Sequence, residues 1–200
     1  MTKKKILIAT GGTGGHIFPA YSLANFLSHK NYEVELTTDQ RGLNYLSDYR
    51  DLNLIKIPSS PFIKKNIFYI ITSLSIIFYS IIRSLIYLVI NRPKIIFGMG
   101  GYSSFPICLA ASILRIKFIL YENNLVIGKA NKYLLPFANR IFVSYKDLQG
   151  ISEKYRLKVV EIGNIVRAEI LNSNNINNKI DSLENIKVLI LGGSQAAKVF

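Results

Sequence analysis

Ile6-Leu7-Ile8-Ala9-Thr10-Gly11-Gly12-Thr13-Gly14-Gly15-His16 decides the fold of this 200-residue chain. A short β-branched run that ends in glycines and passes into the apolar positions Ala20, Leu23, Ala24 and Leu27 reads as strand, tight loop, helix. The glycines let the backbone approach a ligand, and a helix start offers unpaired N–H groups to an anion. The pattern therefore suits a phosphate or diphosphate. Two commoner loops are excluded by spacing. The dinucleotide fingerprint needs a third glycine where Ile17 stands, and the P-loop needs Gly-Lys where Gly15-His16 stands. Asp39, after Val34–Thr38, imitates the ribose-gripping acid of dinucleotide folds, but without that third glycine the match is weak. A plain glycine-rich β–α turn is the bland alternative. His16 adds chemistry that such a turn has no need of, with Pro19 expected in the first helical turn. Its ring can bond a phosphate oxygen, take a proton or orient the loop, and spacing does not separate these roles.

The rest of the chain repeats the alternation. Strand-like runs at Val34–Thr38, Leu54–Ile57, Ile95–Phe97, Phe118–Tyr121, Arg140–Ser144 and Val159–Ile162 are separated by helix-like stretches. Those stretches fall at 18–29, 41–48, 105–114, 128–138 and 146–153. This predicts an α/β fold with a doubly wound parallel sheet, whose ligands sit at the carboxyl ends of the strands. Residues 172–185 are Asn-rich and read as a linker. Residues 186–200 read as a fresh strand running into Gly192-Gly193-Ser194-Gln195, so a second domain is only begun after a first domain over 1–171.

Charge narrows the partners. Lys+Arg of 25 against Asp+Glu of 12 gives +13, which favours anionic ligands such as phosphorylated substrates or acidic lipid. No basic run is interleaved with aromatics, so nucleic acid is not expected; AT-rich coding would also raise Lys, Asn and Ile together. The one cysteine, Cys108, cannot form an internal disulfide, and a reducing cytoplasm is expected. The apolar run behind Met1–Lys5 is too short for a signal peptide, so a retained N-terminus is expected. No Asp-x-Asp pair or His/Cys cluster predicts a metal. From Ile67 to Ile90 the chain is apolar, with a polar stripe of Thr72, Ser73, Tyr79, Ser80, Arg83, Ser84 and Tyr87. That stripe favours an apolar helix lying on a membrane, flanked by Lys64, Lys65, Arg92 and Lys94, over a buried helix or a true span.

Further motifs follow in order: Gly98-Met99-Gly100-Gly101-Tyr102-Ser103-Ser104-Phe105-Pro106, Tyr121-Glu122-Asn123-Asn124, Gly128-Lys129-Ala130-Asn131-Lys132 and Gly163-Asn164-Ile165-Val166-Arg167. With the first and third glycine loops, this ordered set closely resembles the MurG family of peptidoglycan glycosyltransferases. The resemblance implies a GT-B fold, two Rossmann-like domains across a cleft. It implies inverting transfer of N-acetylglucosamine from UDP-N-acetylglucosamine to the 4-hydroxyl of N-acetylmuramic acid in lipid I. The product would be lipid II, made without a cofactor at the cytoplasmic face of the bacterial inner membrane by a peripheral enzyme. Carried over by motif, Thr13, Gly14, Gly15, Asn124, Arg167 and Ser194 fall on donor-contacting positions. His16 falls on the general-base candidate, and Gly98, Gly100, Gly101, Tyr102, Ser103 and Asn131 fall on the acceptor side. Backbone amides near Thr13 and Met99 are expected to face diphosphates.

The chain departs from the family in three places. Tyr121-Glu122-Asn123-Asn124 stands for the usual His-Glu-Gln-Asn, Ile165 for a proline, and Ala196 for a glycine. The uracil pocket lies beyond Phe200, which leaves a catalytically incomplete acceptor-binding half as the alternative reading, while Ile17 argues against a dinucleotide oxidoreductase.

Overall fold

A computed structural model describes residues 3–49, 51–60, 66–167 and 170. The chain divides into two units, Met1–Val166 and Arg167–Phe200. Residues 172–185 and 186–200, the expected linker and start of a second domain, lie outside the described residues.

The first unit is built on seven parallel strands: β1 Lys5–Ala9, β2 Glu33–Thr38, β3 Asn53–Lys56, β4 Ile95–Gly98, β5 Phe118–Glu122, β6 Arg140–Val143 and β7 Val159–Glu161. Their order across the sheet is β3-β2-β1-β4-β5-β6-β7. Chain direction across the sheet reverses between β1 and β4, the place where doubly wound sheets open a crevice. Central strands buried on both faces need continuous apolar side chains, which Ile6, Leu7, Ile8 and Ala9 supply. One face of the sheet carries α1 (Gly14–His29) and α2 (Gln40–Tyr45), packed through Ile17, Ala20, Ala24 and Leu46. The other carries α3 (Ile67–Asn91), α4 (Ser104–Ile113) and α5 (Lys129–Leu134), packed through Leu88, Ile107, Ala110, Ala111 and Leu134.

Several boundaries differ from the sequence reading. Helix α1 begins at Gly14, four residues before the expected start at 18, so His16 lies in its first turn and Pro19 inside it. Pro19 has no N–H for the Gly15 carbonyl, and the Asn123 side-chain amide takes that carbonyl instead at 3.1 Å. The proline thus frees an acceptor that ties α1 to the segment after β5. No helix forms over 146–153. Gln149 bridges Val126, Gly150 turns with φ +81°, and a 3₁₀ helix follows only at Glu153–Lys158. Helix α5 stops at Leu134 rather than running to 138.

Helix α3 is polar inside and apolar outside. Ser73, Ser80, Ser84 and Leu88 are buried, while Phe68, Ile71, Phe78, Ile86, Val89 and Ile90 are exposed. The predicted polar stripe therefore splits: its serines face the protein, whereas Thr72, Tyr79 and Arg83 face outward. Small side chains let α3 pack closely on α4. Their hydroxyls are satisfied locally: Ser80 donates to the Pro58 and Ile76 carbonyls at 2.6 and 2.7 Å, and Ser84 to the Ser80 carbonyl at 2.7 Å. The far end of α3 is pinned to the sheet. The Tyr87 hydroxyl donates to Glu35, a buried carboxylate that also accepts from Lys5 at 3.2 Å and Asn53 at 3.1 Å. A helix of this length and composition is also long enough to cross a membrane. The buried-helix alternative does not describe it.

Candidate functional site

At the carboxyl ends of β4 and β5 lies a cavity of about 280 Å³. It is lined by His16, Gly101, Tyr102, Glu122, Asn124, Gly128, Lys129, Ala130 and Asn131. Five residues carried over from the motifs, His16, Gly101, Tyr102, Asn124 and Asn131, meet there although they come from three separate segments.

The two glycine loops interlock beside it. Gly100 and Gly101 have φ of +84° and +75°, a region that L side chains rarely occupy. A Cβ on Gly100 would stand 3.0 Å from His16 Nδ1 and Cε1, and one on Gly101 would stand 2.7 Å from the Gly11 carbonyl oxygen. Glycine is thus required at both positions for the second loop to lie against the imidazole and the first loop. The His16 carbonyl accepts from the Thr10 hydroxyl at 2.9 Å, which fixes the turn from strand to helix.

Burial lowers the His16 pKa from its ordinary 6.5. The negative charge of Glu122 and a hydrogen bond with the Met99 backbone pull the other way without cancelling that effect. That shift favours the neutral ring, the form able to accept a proton, while a carboxylate stands near enough to favour the imidazolium once formed. Glu122 itself is buried at the end of β5 and accepts four N–H groups. Oε1 takes the Asn124 amide at 3.1 Å and its side chain at 2.7 Å. Oε2 takes the Gly128 amide at 2.8 Å and the Asn131 side chain at 3.0 Å. One carboxylate thus orders Asn124, Gly128 and Asn131 around the cavity, which the motif reading did not assign to it. Its place at the carboxyl end of an apolar strand was the available signal. Lys129, also unassigned from the sequence, brings a cation to the same wall.

The remaining candidates divide. Thr13 is the N-cap of α1, and among the described residues no acceptor takes the amides of Thr13, Gly14 or Gly15. They form an open helix start in the same turn as His16, with no acidic side chain in that turn. The Met99 amide, expected to face a diphosphate, is instead spent on the Ala9 carbonyl at 2.8 Å, extending the β1–β4 ladder. Gly98 is a packing glycine, since a Cβ there would lie 2.7 Å from Cys108 Sγ and 3.1 Å from Leu120. The Ser103 hydroxyl is committed to Ser59 at 2.8 Å. Arg167 is exposed at the start of the second unit, and Ser194 lies outside the described residues. Among the described residues, no group of three or more His, Cys, Asp or Glu side chains gathers as metal ligands would.

Tyr121 and Ile165, two of the three departures from the family pattern, touch one another. The Ile165 amide donates to the Tyr121 hydroxyl at 3.1 Å, a bond that a proline at 165 could not make.

Residues 6–143 match the model described as the glycosyltransferase family 28 N-terminal domain. A relative from Pelagibacter ubique, named UDP-N-acetylglucosamine--N-acetylmuramyl-(pentapeptide) pyrophosphoryl-undecaprenol N-acetylglucosamine transferase, is 36% identical over 98% of this chain and 54% of its own length. One of the same name from Rickettsia felis is 39% identical over 98% of this chain and 55% of its own. The chain spans about half the length of the curated relatives it matches. Among solved structures, MurG of Acinetobacter baumannii superposes with a TM-score of 0.65 at 22% identity, covering 89% of this chain and 50% of that one. A UDP-GlcNAc 2-epimerase from Neisseria meningitidis, bound to UDP-GlcNAc, gives 0.54 at 20%, covering 80% of this chain and 46% of that one. At those identities the likeness is one of fold. With its family model matched across β1 to β6 and its two glycine loops interlocked at the sheet's reversal, the chain belongs to the glycosyltransferase family 28 N-terminal domain family.

Proposed function

We propose that this chain is the acceptor-side half of an inverting transferase that moves N-acetylglucosamine from UDP-N-acetylglucosamine to the 4-hydroxyl of N-acetylmuramic acid in lipid I, forming lipid II. One observation carries the reading: His16 lies at the wall of the cavity, in the same helical turn as the unpaired amides of Thr13, Gly14 and Gly15. In a single displacement the acceptor oxygen bonds to the anomeric carbon as the bond to the UDP oxygen breaks. The hydroxyl proton passes to His16, and the leaving diphosphate takes the displaced electron pair. A positioned base is worth about 10²–10⁴-fold in rate. Glu122 steadies the resulting imidazolium and holds Asn124 and Asn131 where sugar hydroxyls can bond them. Glycine-loop amides offset charge on the phosphates. Gly101 and Tyr102 form the acceptor wall, whereas Gly100, against the His16 ring, and Gly98 and Ser103 act from behind it. Arg167 and Ser194 serve the donor, with the domain ending near 171, a linker over 172–185 and a donor domain starting at 186.

The outer face of α3 supports peripheral seating on an anionic bilayer at the cytoplasmic face. Large apolar groups there reach solvent together, with Arg92 and Lys94 at the end of the helix. The buried serine face of α3, packed on the domain and tied to the Pro58 carbonyl through Ser80, favours a helix lying on the surface over one leaving the domain to span.

The test is transfer of labelled sugar from UDP-N-acetylglucosamine to a lipid I analogue by the complete protein that carries this chain. Labelled lipid II is the expected product. A protein that binds the acceptor but releases no UDP would instead support the catalytically incomplete alternative.

A further inference from the structure

Asp39 imitates a ribose-gripping acid in the sequence, but the structure gives its carboxylate another occupation. The residue is buried and caps α2. Oδ1 accepts from the Gly42 amide at 2.9 Å and faces the Gly12 amide at 3.5 Å. Oδ2 accepts from Arg41 Nε at 3.2 Å, from the same guanidinium's terminal nitrogen at 3.0 Å, and from the Ser59 hydroxyl at 2.9 Å. Ser59 accepts in turn from Ser103 at 2.8 Å. Both oxygens are filled, so no ribose is gripped here. Burial acts to raise the Asp39 pKa, but the Gly42 amide, the Arg41 guanidinium and the Ser59 and Ser103 hydroxyls outweigh it and hold the value below the ordinary 3.8.

Three segments meet at this carboxylate: the first glycine loop through Gly12, the stretch after β3 through Ser59, and the second glycine loop through Ser103. Their contact is close enough that a Cβ on Gly11 would fall 2.2 Å from Ser103 Oγ and 3.2 Å from Asp39 Oδ1. The same two loops carry His16 and the glycines against its ring.

We propose that Asp39 is a positioning residue of the transfer site, acting through Gly12, Ser59 and Ser103 to hold the two glycine loops against one another and so to keep His16 desolvated beside its cavity. This rests on the transferase reading above. A buried carboxylate with this many donors is a rigid hub, because each partner released would be left unsatisfied. Loops hung on such a hub keep the reacting groups in place, and an ångström of drift is enough to cost about 10²-fold in rate.

The experiment uses the complete protein with Asp39→Asn, which keeps the shape and removes the charge, and Ser103→Ala, which cuts the chain of hydroxyls with little risk to folding. Two readouts are taken: steady-state transfer, and titration of the His16 ring by NMR, assigned by its loss in His16→Gln. Burial of the ring predicts a titration below 6.5 in the native protein. In both variants it should move up towards that value while turnover drops by roughly tenfold or more. A change in thermal midpoint alone, with the ring's titration unmoved, would overturn the proposal, because a purely structural cap would act in that way. If the native protein transfers no sugar, the functional reading falls while the NMR arm still decides the role of Asp39.

Discussion

At the scale of single residues, His16 carries the chemistry and its environment sets when it works. Burial lowers its pKa, so the proton-accepting form persists on acidification past the ordinary 6.5. The acid limb of kcat/KM for the complete protein should therefore lie below 6.5. A limb above that value would contradict the assignment. The same shift gives a stability sign. The unfolded chain binds the proton more readily than the folded one, so stability is flat above the ordinary value and declines as pH falls beneath it. A second residue-scale prediction concerns the paired departures from the family pattern. Tyr121→Phe removes the acceptor of the Ile165 amide and the partner of the Ser144 hydroxyl, and should cost about 1–2 kcal/mol in chemical denaturation. Ile165→Pro should cost less in the Tyr121→Phe background than alone, since that bond is already gone. Independent, additive costs would show that the two departures are unconnected. This pairing is not legible from the sequence: the family resemblance implies that a histidine and a proline are both replaced, but not that their replacements touch. Glu122 was hidden for a similar reason: its burial and its four donors come from residues two to nine positions away, brought together only by the turn after β5.

At the scale of elements, the second glycine loop and α3 make the clearest demands. Gly101→Ala must place a methyl on the Gly11 carbonyl in a backbone conformation that disfavours it. It should cost more than about 1 kcal/mol of stability and disturb the His16 ring, read as a lower denaturation midpoint and a shifted imidazole resonance. No loss of stability would mean the loops are less closely packed than they stand here. For α3, Phe78→Asp together with Ile86→Asp changes only the outer face. The variant should keep its thermal midpoint and fail to sediment with anionic liposomes, whereas the native chain sediments and is released by high salt. Unfolding of the variant would show that this face is covered within the protein, and sedimentation resistant to salt and alkaline carbonate would point to a span. The stripe of Ser73, Ser80 and Ser84 was legible as a pattern, but its direction was not. Periodicity says that one face differs from the other, while packing on α4 decides which face is inward. The start of α1 was misplaced for a related reason: glycines at 14 and 15 read as loop, yet they form the first turn, with the Thr13 carbonyl accepting from the His16 and Ile17 amides and Pro19 fitting inside.

At the scale of the whole unit, the alternation of short apolar runs with helical stretches was enough for a parallel doubly wound sheet, because only crossover connections can join parallel neighbours. The order β3-β2-β1-β4-β5-β6-β7, which alternation alone does not specify, brings the β1 and β4 loops together at the reversal point. Motif spacing alone left open which loop groups face outward. The structure divides them, leaving the α1 amides open and spending the Met99 amide inside the sheet. Transfer depends on this crevice positioning an acceptor hydroxyl for proton transfer to His16. Steady-state transfer by the complete protein with His16→Ala tests it most directly. With His16 as base, kcat should fall about 10²–10⁴-fold while KM for the lipid acceptor stays nearly unchanged. Turnover close to the native rate would contradict it.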